Sequence, residues 1–213
     1  MGKNVDLLLG EVKQQSLLLK HFIEGTAKRL ERFNHDDIRY MLYPWGPSER
    51  KKLPGFQALH GLKGAAICEA EIVRGIAKGL YLTAPKISGA TADIDTDIAA
   101  KTTATLNMLK EHDFVLTHFN GADEAAHRYD YHGKAEFISA IDKEFLEKVI
   151  NNIQEPLRIV ICGDHVTSSV TGKHNKNAVP VVAAQINTAA IPVTINNYQD
   201  ILTFLMRASD MRG

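Results

Sequence analysis

The chain has 213 residues with 25 basic and 25 acidic side chains, so its formal charge is zero and no bulk field draws it to nucleic acid or to an anionic membrane. A hydrophobic content of 45% without low-complexity tracts excludes a disordered chain and suffices for one domain with a sizeable core, or for one domain with a smaller appendage. Two isolated cysteines, Cys68 and Cys162, exclude a disulfide scaffold and read as small buried hydrophobes in a reducing cytosol.

No apolar run approaches the ~20 residues of a membrane span, and the opening MGKNVDLLLGEVKQQ lacks a signal-peptide layout, so the expected location is the cytoplasm. From Val5 to Phe33 the apolar residues Leu8, Val12, Leu19, Phe22, Ile23, Leu30 and Phe33 recur near the helical period and predict one long amphipathic helix. A connector rich in Pro and Gly follows, and the expected division is a helix plus connector over 1–55 and an α/β domain over 56–213. Within the second part, strands are predicted at Gly64–Ile67, Leu82–Ile87, Phe114–His118, Leu157–Cys162 and Val179–Ala183. Helices are predicted at about Ala70–Gly79, Asp95–Glu111, Lys134–Asn152 and Tyr198–Arg207. Apolar runs such as FVLTH and LRIVIC, each followed by polar residues and a helix, have the character of buried parallel strands, so the class is α/β with a mostly parallel sheet flanked by helices.

Ligands of open parallel sheets gather beyond the carboxyl ends of the strands. Two polar runs lie at such ends: NGADEAAH after FVLTHF, and GDH after RIVIC. Asp123, His127, Asp164 and His165 are thereby placed to converge, and His174 in TGKHNKN lies on a Gly/Ser/Thr-rich loop able to fold over the same crevice. Carboxylate oxygen and imidazole nitrogen are ligands that zinc or manganese accepts, and mixed shells of this kind serve hydrolytic and phosphoryl-transfer centres. Each pair alone reads more often as a capped helix with a surface histidine; taken together at two strand ends, with His174 on the adjoining loop, the residues leave both readings open. The acidic run ADIDTDIAAK lacks the glycine and terminal glutamate of a calcium loop, and Asp95 or Thr96 is expected to cap the next helix. Lys63 and Arg74 are candidate phosphate contacts, with a solvated face as the other reading; Ser168 and Ser169 read as loop hydroxyls.

Four stretches in order, GLKGAAICEAEIVRGIAKG, GATADIDTDIAAK, DFVLTHFNGADEAAHRYD and ICGDHVTSSVTGKHNKNAVPVV, resemble the archaeal type of cofactor-independent phosphoglycerate mutases in the alkaline phosphatase superfamily. The resemblance runs from about Arg39 to Val182 and more weakly through the first helix. It implies a partial alkaline-phosphatase-like sheet, with the helical opening as a remnant of the family's inserted domain. It also implies two divalent ions, Mn or Zn, in the complete site: Asp123, His127 and His174 at one, Asp164 and His165 at the other, with fewer possible in this chain alone. The family moves a phosphoryl group on glycerate through a phosphoserine.

The family's opening strand, with a metal-binding aspartate in a D-G-x-x-D setting and a nucleophilic serine further on, has no counterpart here. The resemblance therefore implies the C-terminal half only. The expected function is the C-terminal part of a metal-dependent phosphotransferase acting on a small phosphorylated substrate, with a separate N-terminal partner chain or a homo-oligomer completing it. Two alternatives are a catalytically inactive metal- or phosphate-binding remnant and a self-sufficient phosphatase using metal-activated water. The segment YMLYPWGPSERKKLPGF departs from the familiar mutases and resembles relatives proposed to act on homoserine, which leaves the substrate open; Trp45 there reads equally as a packing residue.

Overall fold

The computed structural model describes residues 5–42, 51–189 and 193–206. Trp45 and the end of the last predicted helix at Arg207 lie outside them. Contacts divide the chain into two units, Met1–Lys51 and Lys52–Gly213.

In the first unit the predicted single helix is two. Helix α1 spans Val5–Gln15 and α2 spans Leu17–Leu30, with a short 3-10 turn at Glu31–Phe33. Between them Ser16 is extended (φ −147°, ψ 118°) and its side chain accepts a hydrogen bond from the Leu19 amide. A serine that satisfies an otherwise orphaned amide makes a stable helix start, which is why an unbroken apolar period does not give an unbroken helix. The two helices pack on each other, with Leu9 and Ile23 buried.

The second unit opens with α3 (Phe56–His60) and continues through β1 (Gly64–Ile67), α4 (Glu71–Gly79), α5 (Ile98–Leu109), β2 (Phe114–Thr117), α6 (Gly121–His127) and α7 (Tyr131–Ala140). A π-helical stretch, Ile141–Leu146, joins α7 to α8 (Glu147–Asn152). Then come β3 (Leu157–Cys162), β4 (Val166–Ser168), β5 (Lys173–Asn175), β6 (Val181–Ile186) and α9 (Tyr198–Met206). The mixed α/β class holds, but the parallel part is small. Strands β1 and β2 pair in parallel with Gly64 opposite Phe114 and Ile67 opposite Thr117, while β3 with β6 and β4 with β5 pair antiparallel.

The strand predicted at Leu82–Ile87 is reduced to a parallel bridge between Ala65 and Thr83. Pro85 has no amide to donate and ends the ladder there. The predicted Val179–Ala183 strand is displaced to Val181–Ile186 and runs opposite to β3. Residues 166–175, read as loop, form the β4–β5 hairpin, which sets Thr167 opposite His174.

The core is built on β1, whose four residues are all buried. Phe56, Ala66, Cys68, Ala77 and Leu82 form its centre, and Phe114 stacks on Phe56 at 4.8 Å between ring centroids. Cys68 is buried as expected, whereas Cys162, at the end of β3, is exposed. Full burial of a side chain such as Ile67 contributes ~1.5–3 kcal/mol, so β1 is the firmest part of the frame.

Helix α5 begins at Ile98, later than predicted, because Asp97 and neither Asp95 nor Thr96 is its cap, accepting from the Ala100 amide at 2.8 Å. The other members of the acidic run build a strap. The Thr91 amide donates to the Thr96 hydroxyl, the Thr91 hydroxyl to Asp95, and Asp93 grips Arg128 through two bonds of 2.7 Å. That bidentate pair holds the Asp93 carboxyl below the usual carboxylate range.

Candidate metal centre

Helix α6 carries Asp123 and His127 one turn apart, so both project from the same face. Its start is pinned by close backbone approach. Gly121 is buried, and a Cβ there would lie 2.7 Å from the Ile94 nitrogen and 2.8 Å from Asp93 and Ile94 backbone carbons. The end of α6 is held by the Asp93–Arg128 pair. Strap and helix thus form one bracket for the two ligand-type residues.

The hairpin brings His174 to them. His127 Nε2 lies 3.1 Å from His174 Nε2 and 3.4 Å from an Asp123 carboxylate oxygen, and His174 Nε2 lies 3.7 Å from the other. The three donor atoms fall within 4.8 Å of one another. Ligands held ~2.0–2.1 Å from a tetrahedral ion are roughly 3.3 Å apart, which matches this spacing, so the donor set fits a divalent ion in both chemistry and size.

Hydrogen bonds assign the ring tautomers. His127 Nδ1 lies 2.8 Å from the Gly172 carbonyl and must donate to it, leaving a lone pair on Nε2 facing Asp123 and His174. Gly172 is left-handed (φ +61°), and a Cβ there would meet the Tyr129 ring at 3.0 Å and the His127 carbonyl at 3.1 Å. Only glycine lets the hairpin turn come this close.

Asp123 has a second fixed partner. The Thr167 hydroxyl, buried, donates to one carboxylate oxygen of Asp123, and His165 Nδ1 lies 3.1 Å from the same hydroxyl. With the hydroxyl proton committed, His165 must donate from Nδ1. Its Nε2 is then a lone pair, 3.4 Å from an Asp164 carboxylate oxygen. The relay from His165 through Thr167 to Asp123 therefore joins the triad to the Asp164/His165 pair, and the His165 and His174 rings stack at 3.8 Å. Tyr198, on α9, steadies the Gly163–Asp164 turn, its hydroxyl lying 2.9 Å from both carbonyls.

Of the five ligand-type residues named from the sequence, Asp123, His127 and His174 thus come together, His165 reaches them through Thr167, and Asp164 lies at the exposed edge beside His165. Among the described residues, Lys63 and Arg74 make no contact with these ligand-type residues. Lys63 precedes β1, at the amino end of the parallel pair and away from the carboxyl-end crevice. One guanidinium nitrogen of Arg74 lies 3.0 to 3.3 Å from the Pro85 and Cys68 carbonyls and the Glu69 carboxylate, so it fastens the turn after β1. The Ser168 hydroxyl accepts from the Val170 and Thr171 amides and caps the hairpin. Thr167, Gly172 and Tyr198 were not legible as site residues, because a hydroxyl or carbonyl partner carries no sequence signature until tertiary contact exists.

Behind the crevice lies Lys101, 1% exposed on α5. Its ammonium donates to the His118 carbonyl, just past β2, and sits 4.4 Å over the Phe119 ring. Burial pushes the amine down from 10.5 to about 8.

A sequence profile described as the metalloenzyme superfamily matches residues 8–201. The chain is 36% identical over 181 residues to a 2,3-bisphosphoglycerate-independent phosphoglycerate mutase of Methanococcus vannielii, covering 81% of this chain and 44% of that protein. It is 32% identical over 155 residues to the corresponding protein of Methanopyrus kandleri, covering 72% and 36%. The solved structure of PH0037 from Pyrococcus horikoshii superposes with a TM-score of 0.66 at 25% identity, covering 81% of this chain and 48% of that one. The chain spans less than half the length of these relatives. A profile match over nearly the whole chain, which includes a carboxylate–histidine cluster of ion-binding size, places it in the metalloenzyme superfamily.

Proposed function

We propose that this chain is the metal-binding part of a phosphoglycerate mutase-like, metal-dependent phosphotransferase that works in the cytoplasm on a small phosphorylated substrate. The nucleophilic serine and a further metal-binding aspartate come from polypeptide outside these 213 residues, on a partner chain. The observation that carries this reading is the cluster itself: Asp123, His127 and His174 bring ligand atoms within 4.8 Å of one another, and the relay through Thr167 ties them to His165 and its neighbour Asp164.

Asp123, His127 and His174 would hold one divalent ion, Mn or Zn, with Asp164 and His165 holding a second. Such ions supply electrostatic stabilisation to a phosphoryl group in transfer. The protein's own groups keep the ligands in order: Gly172 fixes the His127 tautomer, Thr167 orients Asp123 and His165, and Tyr198 steadies the Asp164 turn.

Metal analysis of the purified chain tests the site. It should retain about one ion of Mn or Zn per chain, lost in His127→Ala. Adding a polypeptide that carries a D-G-x-x-D strand and the serine should then give phosphoryl transfer on phosphoglycerate. A chain that binds neither metal, or a metal-loaded pair without transfer, defeats the reading; hydrolysis of phosphate esters by the chain alone would favour a self-sufficient phosphatase instead.

A further inference from the structure

The β4–β5 hairpin carries both Thr167 and His174, yet its own ladder has three residue pairs and all of β5 is exposed. A lone two-stranded hairpin is marginal in water, so whatever seats it against α6 decides whether His174 meets Asp123 and His127. The bonds from Thr167 to Asp123 and from His127 to the Gly172 carbonyl run through the ligand-type residues themselves. Two further contacts come from residues outside that set, and both belong to the stretch that leads from the end of α6 into α7.

That stretch is strained. Tyr129 sits in the left-handed region at φ +62°, with its amide on the Ala126 carbonyl at 3.0 Å and the Asp130 amide on the Ala125 carbonyl at 2.9 Å. This is the helix ending that glycine ordinarily occupies, and a tyrosine there costs the backbone stability. Its side chain is mostly exposed to solvent, so burial does not offset the cost. What the ring does approach is the hairpin turn: a Cβ on Gly172 would lie 3.0 and 3.2 Å from its Cζ and Cε1. The same turn lets Asp130 cap α7, accepting from the Gly133 amide at 2.8 Å. One helical turn on, the Lys134 ammonium donates to the Thr167 carbonyl at 2.8 Å. Thr167 is buried, and a charged donor on its carbonyl makes the stronger kind of hydrogen bond. Tyr129 thus bears on the tip of the hairpin while Lys134 holds its first strand.

We propose that Lys134 and Tyr129 are positioning residues, a two-point clasp that seats the hairpin on α6 and α7 before an ion arrives, so that His174 already stands beside Asp123 and His127. This rests on those three residues being an ion site, as proposed above. When the clasp is loosened, the competent arrangement is populated for only a fraction of the time, and ion affinity falls by that fraction. The ring of Tyr129 rather than its hydroxyl, and a cationic donor at Lys134 rather than that particular amine, carry the effect.

The test uses the 213-residue chain with zinc as the probe. In the metal-free chain, amide exchange over residues 166–175 should be roughly 10-fold faster in Lys134→Met and in Tyr129→Gly than in the wild type. Zinc affinity, measured by chelator competition, should fall by a similar factor, roughly 10-fold, the low end of what losing a ligand-orienting partner costs. Lys134→Arg and Tyr129→Phe should stay near the wild type in both measurements. Tyr129→Gly gives the helix end the residue its backbone prefers, so its urea midpoint should not fall, whereas a merely structural role would lower midpoint and affinity together. Zinc affinity within about twofold of the wild type in either loss variant, unchanged hairpin exchange, failure of both conservative variants to keep wild-type behaviour, or a lowered midpoint in Tyr129→Gly overturns the clasp. A wild-type chain that binds no zinc would instead count against the ion site, and hairpin exchange in the metal-free variants would still judge the clasp.

Discussion

Replacing Lys101 with methionine isolates the cost of a charge in the interior. The amine titrates at about 8 in the folded chain against 10.5 when free. At ~1.36 kcal/mol per pH unit, that difference corresponds to about 3 kcal/mol of native-state penalty for the ammonium near pH 7. Methionine has a similar length, removes the penalty, and gives up the hydrogen bond to the His118 carbonyl, a loss of ~1–3 kcal/mol. The variant should therefore be more stable near pH 7 by ~1 kcal/mol. Between about pH 8 and 10.5 the unfolded wild-type chain binds a proton that the folded chain does not, so wild-type stability rises with pH through that window relative to the variant. Paired urea titrations of both chains near pH 7 and about pH 10 measure the difference, and groups common to both cancel. A difference that stays flat across the window refutes the reasoning, because the ammonium would then carry no penalty.

Thr167→Val keeps the shape of the hairpin but cuts the relay to Asp123 and His165. Zinc affinity, measured by competition with a chelator, should fall roughly 10–100-fold, and an unchanged affinity would show that the hydroxyl does not orient the ligands. Gly121→Ala sets a methyl against the backbone of Asp93 and Ile94, where nothing flexible yields. It should destabilise the chain by ~1–3 kcal/mol in urea unfolding and loosen the ligand pair on α6; wild-type stability would mean that the strap does not bracket this helix.

The sequence carried the frame where local pattern and tertiary fate agree. Gly64–Ile67 and Leu157–Cys162 are short apolar runs bounded by polar residues, and both form strands with the expected bounds. Pattern failed where one atom decides. The hydroxyl of Ser16 divides a helix that apolar spacing draws as continuous, and the missing amide of Pro85 stops a strand that β-propensity would extend. The β4–β5 hairpin escaped notice because Val-Thr-Ser and Lys-His-Asn carry little apolar alternation. In the crevice, Asp and His announce themselves by residue type, so their convergence was legible from two strand ends and a loop. Their tautomers were not, since these depend on the Gly172 carbonyl and the Thr167 hydroxyl, both more than 40 residues away from the side chains on α6 that they contact.

The separation of the strand pairs has a consequence for motion. Among the described residues no ladder of hydrogen bonds links β1 and β2 to β3 and β6. The first pair is anchored by a fully buried strand, while the second shows Ile161, Val181 and Val182 to solvent. Local opening should therefore be easier on the second side, with amide exchange faster in β3 and β6 than in β1. The crevice straddles this division, with Asp123 and His127 fastened to the stiff side and Asp164, His165 and His174 carried by the softer one. Whatever binds there joins two parts of unequal rigidity, and its arrival should be felt first as slowed exchange in β3 and β6, well before any change reaches β1.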